Sequence, residues 1–568
     1  MAGGLLFDEL VHNEFPCASR DSPFGIEVAM SVVKEDQYNI GHICTRQQCD
    51  LGLGEKVALR WISARQEKID YTFCDLDLES NKFANVLNFL GFESGDVFFT
   101  FLPKAPEQFF SFLGALKSRI ICGTLFSNFG SEAILDRLGD ARARCVITKS
   151  SLLKRILKVR DQLPDLEYII VVDQDEHHAE GVLSYSLLMQ NASEQYVAPK
   201  TAPDTPSVLH YTSGSTGKPK GVLHAHRSVL HQSRTTREIL DLKDADVFWC
   251  TADQGWVTGT SYGIIGPWSL GVTQVHYGGG YDAKTWIELL QNEHVTIWYS
   301  APTALRMLIR EDSSLFESCD LGSLRYIFSV GEPLNPEVIV WAKMVLGKNI
   351  YDTWFQTETG GIMISNRPGL EIRPGSMGMP LEGLEAAILA EDGTRLGDGE
   401  QGSLCIRVDW PSMFTTYLNN ESVYKSKFKN GWYYTGDTAV VIDGYFWFKG
   451  RSDDVINTAG HLISPFEIES VLLEMPPVAE SAVIGAPDDL LYEKVVAFIC
   501  LSEGYVWSKD LELKARIHIS NRLSSTAIPQ DVIIVDSIPK NKSGKIMRRL
   551  LKARFLNQDP GDISTLED

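Results

Sequence analysis

From about residue 55 the chain alternates short apolar runs with amphipathic stretches, and this alternation constrains the fold more than any other feature. VALRW (57–61) reads as a strand. In ESNKFANVLNFLGF, Phe83, Val86, Leu87 and Leu90 share one helical face and Gly91 closes the helix. VFFTFLP (97–103) is apolar throughout, as a parallel strand covered on both sides must be. APEQFFSFLGALKSR follows as a helix with Pro106 near its start. Strand-like ICGTLF, a helix through Ala133 to Leu138, and strand-like CVIT and YIIVV extend the series. Beyond residue 222 a second α/β series has WIELLQNEH and TALRMLIRED as helices and TIWYS and YIFSV as buried strands. Such repetition predicts α/β architecture with largely parallel, doubly wound sheets.

From about residue 370 shorter strands and turns take over. AAILAEDGTRLGDGEQGSLCIRV reads as hairpins turning at Asp392-Gly393 and Gly397-Asp398-Gly399, which predicts a small β subdomain. After Arg451 the character changes again. SPFEIESVLLEM reads as a helix capped by Ser464, with Pro465 in its first turn and Glu467 completing a capping box. AVIGAP, VVAFICL and VIIV read as strands, and SKDLELKARIHISNRL and GKIMRRLLKARFL as helices. The expected organisation is a large N-terminal domain (1–450) with α/β subdomains and a β subdomain, then a small α+β C-terminal domain (451–568). Residues 1 to about 50 show no regular pattern.

The 568 residues carry a formal charge of -21, which argues against nucleic acid or an anionic membrane as the main partner. A phosphate-bearing ligand would then need local basic groups. The ten cysteines are scattered without metal-ligand spacing; apolar neighbours, as at Cys145 and Cys500, favour buried free thiols in a reducing cytoplasm. MAGGLLFDELVHNEF lacks a basic region and is not expected to act as a signal peptide, and no apolar stretch is long enough to span a membrane.

Five stretches carry chemistry. YTSGSTGKPKGV (211–222) packs three Gly, four Ser/Thr hydroxyls and two Lys into twelve residues. Strand-like SVLH precedes it and HAHRSVLHQSRTTREILDL reads as a helix after it. A Gly-rich loop so placed turns backbone N–H groups and the hydroxyls of Thr212, Ser213, Ser215 and Thr216 toward phosphate, with Lys218 and Lys220 adding charge. The common phosphate-loop pattern does not fit, because Pro219 stands where Ser or Thr should follow Lys218. In YDTWFQTETGG (351–361), Glu358 supplies a hard oxygen ligand suited to Mg²⁺ and its flanking threonines can donate to phosphoryl oxygens. WYYTGD (432–437) ends on Asp437 after a tight Thr-Gly turn, and Arg451-Ser452-Asp453-Asp454 is a charged turn. PKNKSGKIMRRLLK (539–552) holds the densest positive charge of the chain; on composition alone it reads as the basic face of an amphipathic helix.

Together these stretches, in this order and spacing, resemble the signature motifs of the adenylate-forming superfamily of acyl-CoA synthetases, peptide-synthetase adenylation domains and luciferases, over about residues 50–568. TADQGWVTGTSYGIIGP (251–267), APTALR (301–306), SVGEPLNP (329–336) and the terminal GDISTLED are most similar to the AMP-forming acetyl-CoA synthetases. The resemblance implies ATP/AMP, Mg²⁺ and coenzyme A as ligands, with a short carboxylic acid as substrate. It implies a nucleotide site of Thr212, Ser213, Gly214, Ser215, Thr216, Gly217, Lys218, Gly331, Glu332, Pro333, Asp352, Thr353, Trp354, Gln356, Thr357, Asp437 and Arg451. Glu358 would hold Mg²⁺, Thr357 would touch the α-phosphate, Asp437 both ribose hydroxyls and Arg451 the ribose. Lys545 would be the catalytic lysine between carboxylate and α-phosphate, Asp453 the hinge, and Ala459 and Gly460 the lining of the pantetheine channel.

The acyl pocket implied by the same likeness is walled by Val257, Thr258, Val330 and Phe355. Acetate enzymes carry Trp at the last position and longer-chain relatives Gly, so Phe355 predicts a short acid, acetate first, with propionate or a small branched acid as rivals. Leu462 replaces an Arg that approaches the phosphates in many relatives, and the N-terminal part is shorter than is typical. Lys154 and Arg155 suit a surface helix face better than a contact to the CoA 3′-phosphate. The resemblance allows a homodimer. An adenylation domain serving a carrier protein, a non-catalytic nucleotide-binding protein, and an enzyme run toward ATP synthesis remain open.

Overall fold

The alternating strands assemble two mostly parallel sheets, and the structure, a computed structural model, describes residues 32–560 and 566 apart from 35–36, 176–178, 213–218, 318, 453, 459–460, 489–490 and 542–544. The side chains of His461 and Leu462 also lie outside this description. The mixed α/β architecture, a large N-terminal part of parallel sheets followed by a smaller C-terminal one, is the fold that the sequence pattern predicts.

One helix pair shows how local sequence sets the frame. Helix α1 (Phe73–Phe89) starts earlier than its apolar periodicity suggests, because Thr72 and Asp75 form a full capping box: Asp75 N–H donates to Thr72 Oγ1 (3.1 Å) and Thr72 N–H to the Asp75 carboxylate (2.7 Å). Helix α2 (Pro106–Lys117) packs on it with Pro106 in its first turn. The buried Lys117 ammonium joins the two, donating to Asp77 Oδ1 and Asn81 Oδ1, each at 2.7 Å. Its pKa falls to about 8 because burial outweighs the Asp77 carboxylate. Ahead of this pair the chain is already helical at Ile40–Cys44 and Arg46–Gln48, where the sequence shows no regular pattern.

The first eight-stranded sheet has Val97–Phe101 and Ile121–Thr124 near its centre. On one side it continues into β1 (Pro206–Thr212) and β2 (Lys220–Ala225). Here the structure corrects the reading of the Gly-rich stretch. β1 and β2 are antiparallel, with Thr212 opposite Lys220, so the stretch connects two strands of one hairpin and not a strand to a helix. His224 and Ala225 belong to the strand, and the helix begins only at Ser228. Gly221-Val222-Leu223 is buried between β1 and a further strand, and this ladder overrides the helical pattern of the residues that follow.

The nine-stranded second sheet has parallel neighbours Ile297–Ser300, Tyr326–Ser329 and β3 (Ile350–Trp354). Strand β4 (Thr416–Tyr417) returns to the first sheet and pairs antiparallel with β2. The small β subdomain includes the hairpin β5 (Trp432–Ile442) and β6 (Tyr445–Arg451).

In the C-terminal part, the sheet strands Val478–Asp488 and Tyr492–Leu501 pack against helix α3 (Pro465–Leu473). Ser464 caps α3 by accepting from Glu467 N–H (3.3 Å), but only half of the predicted capping box forms, because the Glu467 carboxylate accepts from Lys449 instead. The last helix, Arg548–Phe555, also begins later than the sequence suggests, because Ile546 is held in an extended bridge with Lys540.

Candidate functional site

β3 is a fully buried strand up to Thr353, and the chain leaves the sheet edge at Trp354 into a tight turn. Thr359 closes that turn: its Oγ1 accepts from Gln356 N–H (2.9 Å) and donates to carbonyls within the turn. Gly360 follows with φ +69°, where a Cβ would lie 2.5 Å from the Ser412 carbonyl oxygen and 2.9 Å from the His224 ring. No larger residue fits, so the turn can press against both. The predicted pair Thr357 and Glu358 is thereby presented at the carboxyl end of β3.

The segment 410–417 holds the turn from outside. Trp410 Nε1–H and Ser412 Oγ–H donate to the Thr359 carbonyl (2.9 and 2.6 Å), and Phe414 N–H donates to the Glu358 carbonyl (3.0 Å). The Tyr417 phenol donates to Glu358 Oε1 at 2.8 Å. Burial and the Glu358 charge raise the Tyr417 pKa, so it stays a donor. His224, on β2, sits between Thr357 O (Nε2, 2.8 Å) and Ser412 O (Nδ1, 3.2 Å). Burial lowers its pKa to about 4, so the ring is neutral, owns one N–H, and donates to only one of the two carbonyls.

The ribose-side residues meet across the β5–β6 hairpin, where Asp437 stands directly opposite Arg451. Asp437 is buried, and its Oδ1 pairs with Arg451 Nη1 at 2.9 Å. Its Oδ2 accepts from Gln356 Nε2 (2.9 Å) and Trp354 Nε1 (3.1 Å), and Tyr433 O–H donates to the Gln356 amide oxygen (2.9 Å). The carboxylate thus already serves three protein donors. Gly436, at φ +76°, makes the bend that aims it.

Lys545 comes to the same place from the C-terminal part. Its N–H donates to Asn541 Oδ1 (2.9 Å) and its carbonyl accepts from Asn541 N–H (2.8 Å). The residue is exposed by surface area, yet many protein atoms surround its ammonium. That crowding and the neighbouring charge of Arg451 lower its pKa, and Asp454 and Asp437 oppose them. The catalytic-lysine candidate is therefore within electrostatic range of the Asp437–Arg451 pair.

The adenine-side candidates form a second group. Glu332 accepts from Thr303 Oγ1 (2.8 Å) and Arg306 Nη2 (2.6 Å), so its carboxylate is committed to protein partners. Gly331 stands at φ +92° and Pro333 follows on a half-exposed loop. Asp352 is buried and accepts from Ser329 Oγ; burial raises its pKa to about 7. Thr353 Oγ1 donates to Ser329 O (2.7 Å), which makes it a tie between two strands.

Of the acyl-pocket candidates, Val330 is buried in the cluster that also contains Tyr262, and Phe355 packs edge-on against Tyr262 (5.5 Å between ring centres). Val257 and Thr258 are buried on the short helix Val257–Thr260, which leads into the segment carrying Tyr262. Thr212 ends β1. Ser213, Gly214, Ser215, Thr216, Gly217 and Lys218, the hinge Asp453, and Ala459 and Gly460 lie outside the described residues. Arg155 donates to the carbonyls of Ser127 (2.9 Å) and Phe129 (3.0 Å), in keeping with a structural role.

Among the described residues no group of three or more His, Cys, Asp and Glu gathers to hold a metal. One well-held carboxylate nevertheless fits Mg²⁺, which keeps most of its oxygen ligands from water and substrate phosphates and takes one or two from protein. Sequence reasoning missed Tyr417, His224, Thr303 and Arg306. All four act on residues of other segments; Thr303 and Arg306 lie in the quoted APTALR stretch, but their partner Glu332 is remote from it.

The family model described as "AMP-binding enzyme" matches residues 47–418, and that of the "AMP-binding enzyme C-terminal domain" matches 467–545. The chain is 45% identical over 516 residues to an acetyl-coenzyme A synthetase of Bacillus subtilis, covering 90% of each chain. It is 37% identical over 562 residues to an acetyl-coenzyme A synthetase of Deinococcus radiodurans, covering 94% of this chain and 86% of the relative. Its structure is similar to that of an anthranilate CoA ligase in complex with anthranoyl-AMP, with a TM-score of 0.85 at 30% identity, over 94% of this chain and 99% of that one. No described helix is long and apolar enough to cross a membrane.

Proposed function

The chain belongs to the AMP-binding enzyme family, and on that premise we propose that it is an AMP-forming acetate–CoA ligase. It converts acetate, ATP and CoA to acetyl-CoA, AMP and pyrophosphate through an acetyl-adenylate. The observation that carries this reading is the near-full-length likeness to two acetyl-coenzyme A synthetases. The Asp437–Arg451 pair, with Lys545 in electrostatic range and Gln356, two residues before Glu358, bonded to Asp437, supports it.

In the first step the acetate carboxylate attacks the α-phosphorus and pyrophosphate leaves. Charge grows on the α-phosphoryl oxygens, and the Lys545 ammonium offsets it. Asp437 and Arg451 hold the ribose, with Gln356 and Trp354 fixing the Asp437 carboxylate. Mg²⁺ held by Glu358 and the phosphates would supply neutralising charge for the departing pyrophosphate. In the second step the CoA thiol attacks the acyl carbon and AMP leaves. Lys545 obstructs that approach, so the small domain turns about Asp453 between the steps.

A small branched or three-carbon acid is the second reading, favoured by one observation: Phe355 stands where acetate enzymes carry Trp. One methylene in an apolar pocket is worth about 1–3 kcal/mol. AMP formation with ATP, Mg²⁺ and CoA across acetate, propionate, butyrate, isobutyrate, hexanoate and benzoate tests both. Highest kcat/KM for acetate supports the first reading, and for propionate or isobutyrate the second. Faster turnover of hexanoate or benzoate than of acetate refutes both. The net direction in the cell follows from pyrophosphate and acyl-CoA levels. The buried thiols Cys145 and Cys500 suit a reducing cytoplasm.

A further inference from the structure

We propose that Tyr417 is the positioning residue for the Glu358 carboxylate, and that the segment 410–417 is the brace that sets this carboxylate for a divalent cation. The assignment rests on the ligase reading only for Glu358's role toward that cation. Glu358 sits on a turn outside any sheet, and such a carboxylate has rotamers to lose before it can serve as a ligand. One hydrogen bond restrains that side chain, and a second holds the backbone that carries it. Phe414 N–H fixes the Glu358 carbonyl (3.0 Å), and the Tyr417 phenol fixes Oε1 (2.8 Å).

Tyr417 is itself held. Its ring is buried, packs edge-on against Phe414 at 4.9 Å, and has Lys220 Nζ 5.8 Å from its centre. Its backbone is paired with Val222 through β4 and β2. β2 is the strand that leaves the Gly-rich stretch, and it also carries His224, which packs between Thr357 O and Ser412 O. One strand therefore reaches Thr357 through His224 and Glu358 through Tyr417. Phosphate-side and cation-side groups are set on the same strand, so their spacing is built in before any ligand arrives. Partners of this kind, one shell out from a metal ligand, typically change metal affinity 10–100-fold when removed.

Tyr417→Phe removes one oxygen and leaves the ring packing. Mn²⁺ uptake by the full chain saturated with α,β-methylene-ATP, followed by electron paramagnetic resonance of free Mn²⁺, needs no turnover and no acid. We expect the Mn²⁺ Kd to rise about 10-fold or more. The thermal midpoint and the rate of thioester formation from supplied acetyl-AMP should stay unchanged. In a Glu358→Gln background the same substitution should add nothing further. Unchanged Mn²⁺ affinity overturns the proposal. So does an effect that persists in full beside Glu358→Gln, or an equal fall in thioester formation, since either marks Tyr417 as merely structural. Wild-type protein that binds the nucleotide without taking up Mn²⁺ also overturns it, and leaves the acid-activation reading standing.

Discussion

Lys545 is the residue whose removal should separate the two half-reactions. Lys545→Ala should slow acetate-dependent ATP–pyrophosphate exchange on the order of 10²–10³-fold, the usual cost of losing one charge-stabilising donor. Acetyl-CoA formation from supplied acetyl-AMP should be nearly unaffected; equal loss of both would refute the role. In that role the same lysine should set an alkaline limit. Its charged form is the useful one, and protein crowding and Arg451 hold its pKa below that of a free lysine. Adenylation should therefore decline with rising pH earlier than an ordinary lysine would allow, while the thioester step does not follow it. A pH profile of exchange checks this, and Lys545→Arg should move the decline upward. Candidates such as Thr357-Glu358 and Asp437 could be put forward from sequence because the chemistry proposed for them needs fixed residue types at short spacing. Tyr417 could not, because its partner Glu358 lies 59 positions away and its neighbours in sequence carry no comparable signal. Glu332 was a candidate from sequence, but its commitment to Thr303 and Arg306 was not legible there, since a carboxylate's partners depend on which loops the fold sets beside it.

At the level of elements, the α1–α2 pair depends on one buried cation. Lys117→Met leaves Asp77 charged and unpaired in the core and should cost about 3–5 kcal/mol. Urea unfolding of the full chain would register it as a lower midpoint, and a loss under about 1 kcal/mol would mean water reaches Asp77. Elements of this class read well from sequence: the runs at Val97–Phe101 and Ile121–Thr124 are apolar because both faces are covered. β2 read badly. Its residues Lys220–Ala225 continue into a helical pattern, and only pairing with β1 and with the remote β4 decides for strand. The half-formed capping box at Ser464 failed for a similar reason, because a tertiary partner, Lys449, took the Glu467 carboxylate.

For the whole molecule, the contacts that join the C-terminal part to the large one include, among the described residues, side-chain hydrogen bonds beside the Phe448–Phe466 ring pair. Asn335 Nδ2 donates to Ser470 Oγ (3.1 Å), Arg310 donates to the Ala479 carbonyl, and Lys449 pairs with Glu467. The Arg310 contact is exposed, and a contact of that type breaks cheaply. Asp453→Pro should fix the backbone where the proposed rotation occurs. It should keep ATP–pyrophosphate exchange and lose overall acetyl-CoA formation by about 10-fold or more, and undiminished turnover would rule out this hinge. None of these contacts was legible in sequence, since each joins residues whose proximity only the finished fold creates. The placement of Arg451 has a mechanical consequence. It lies opposite Asp437 on a hairpin that ends two positions before the proposed hinge, whereas Lys545 belongs to the part beyond it. If the small domain turns there as proposed, Lys545 would travel with it while Arg451 stays paired with Asp437 on the hairpin, so the hold on the sugar would outlast the departure of the lysine's charge.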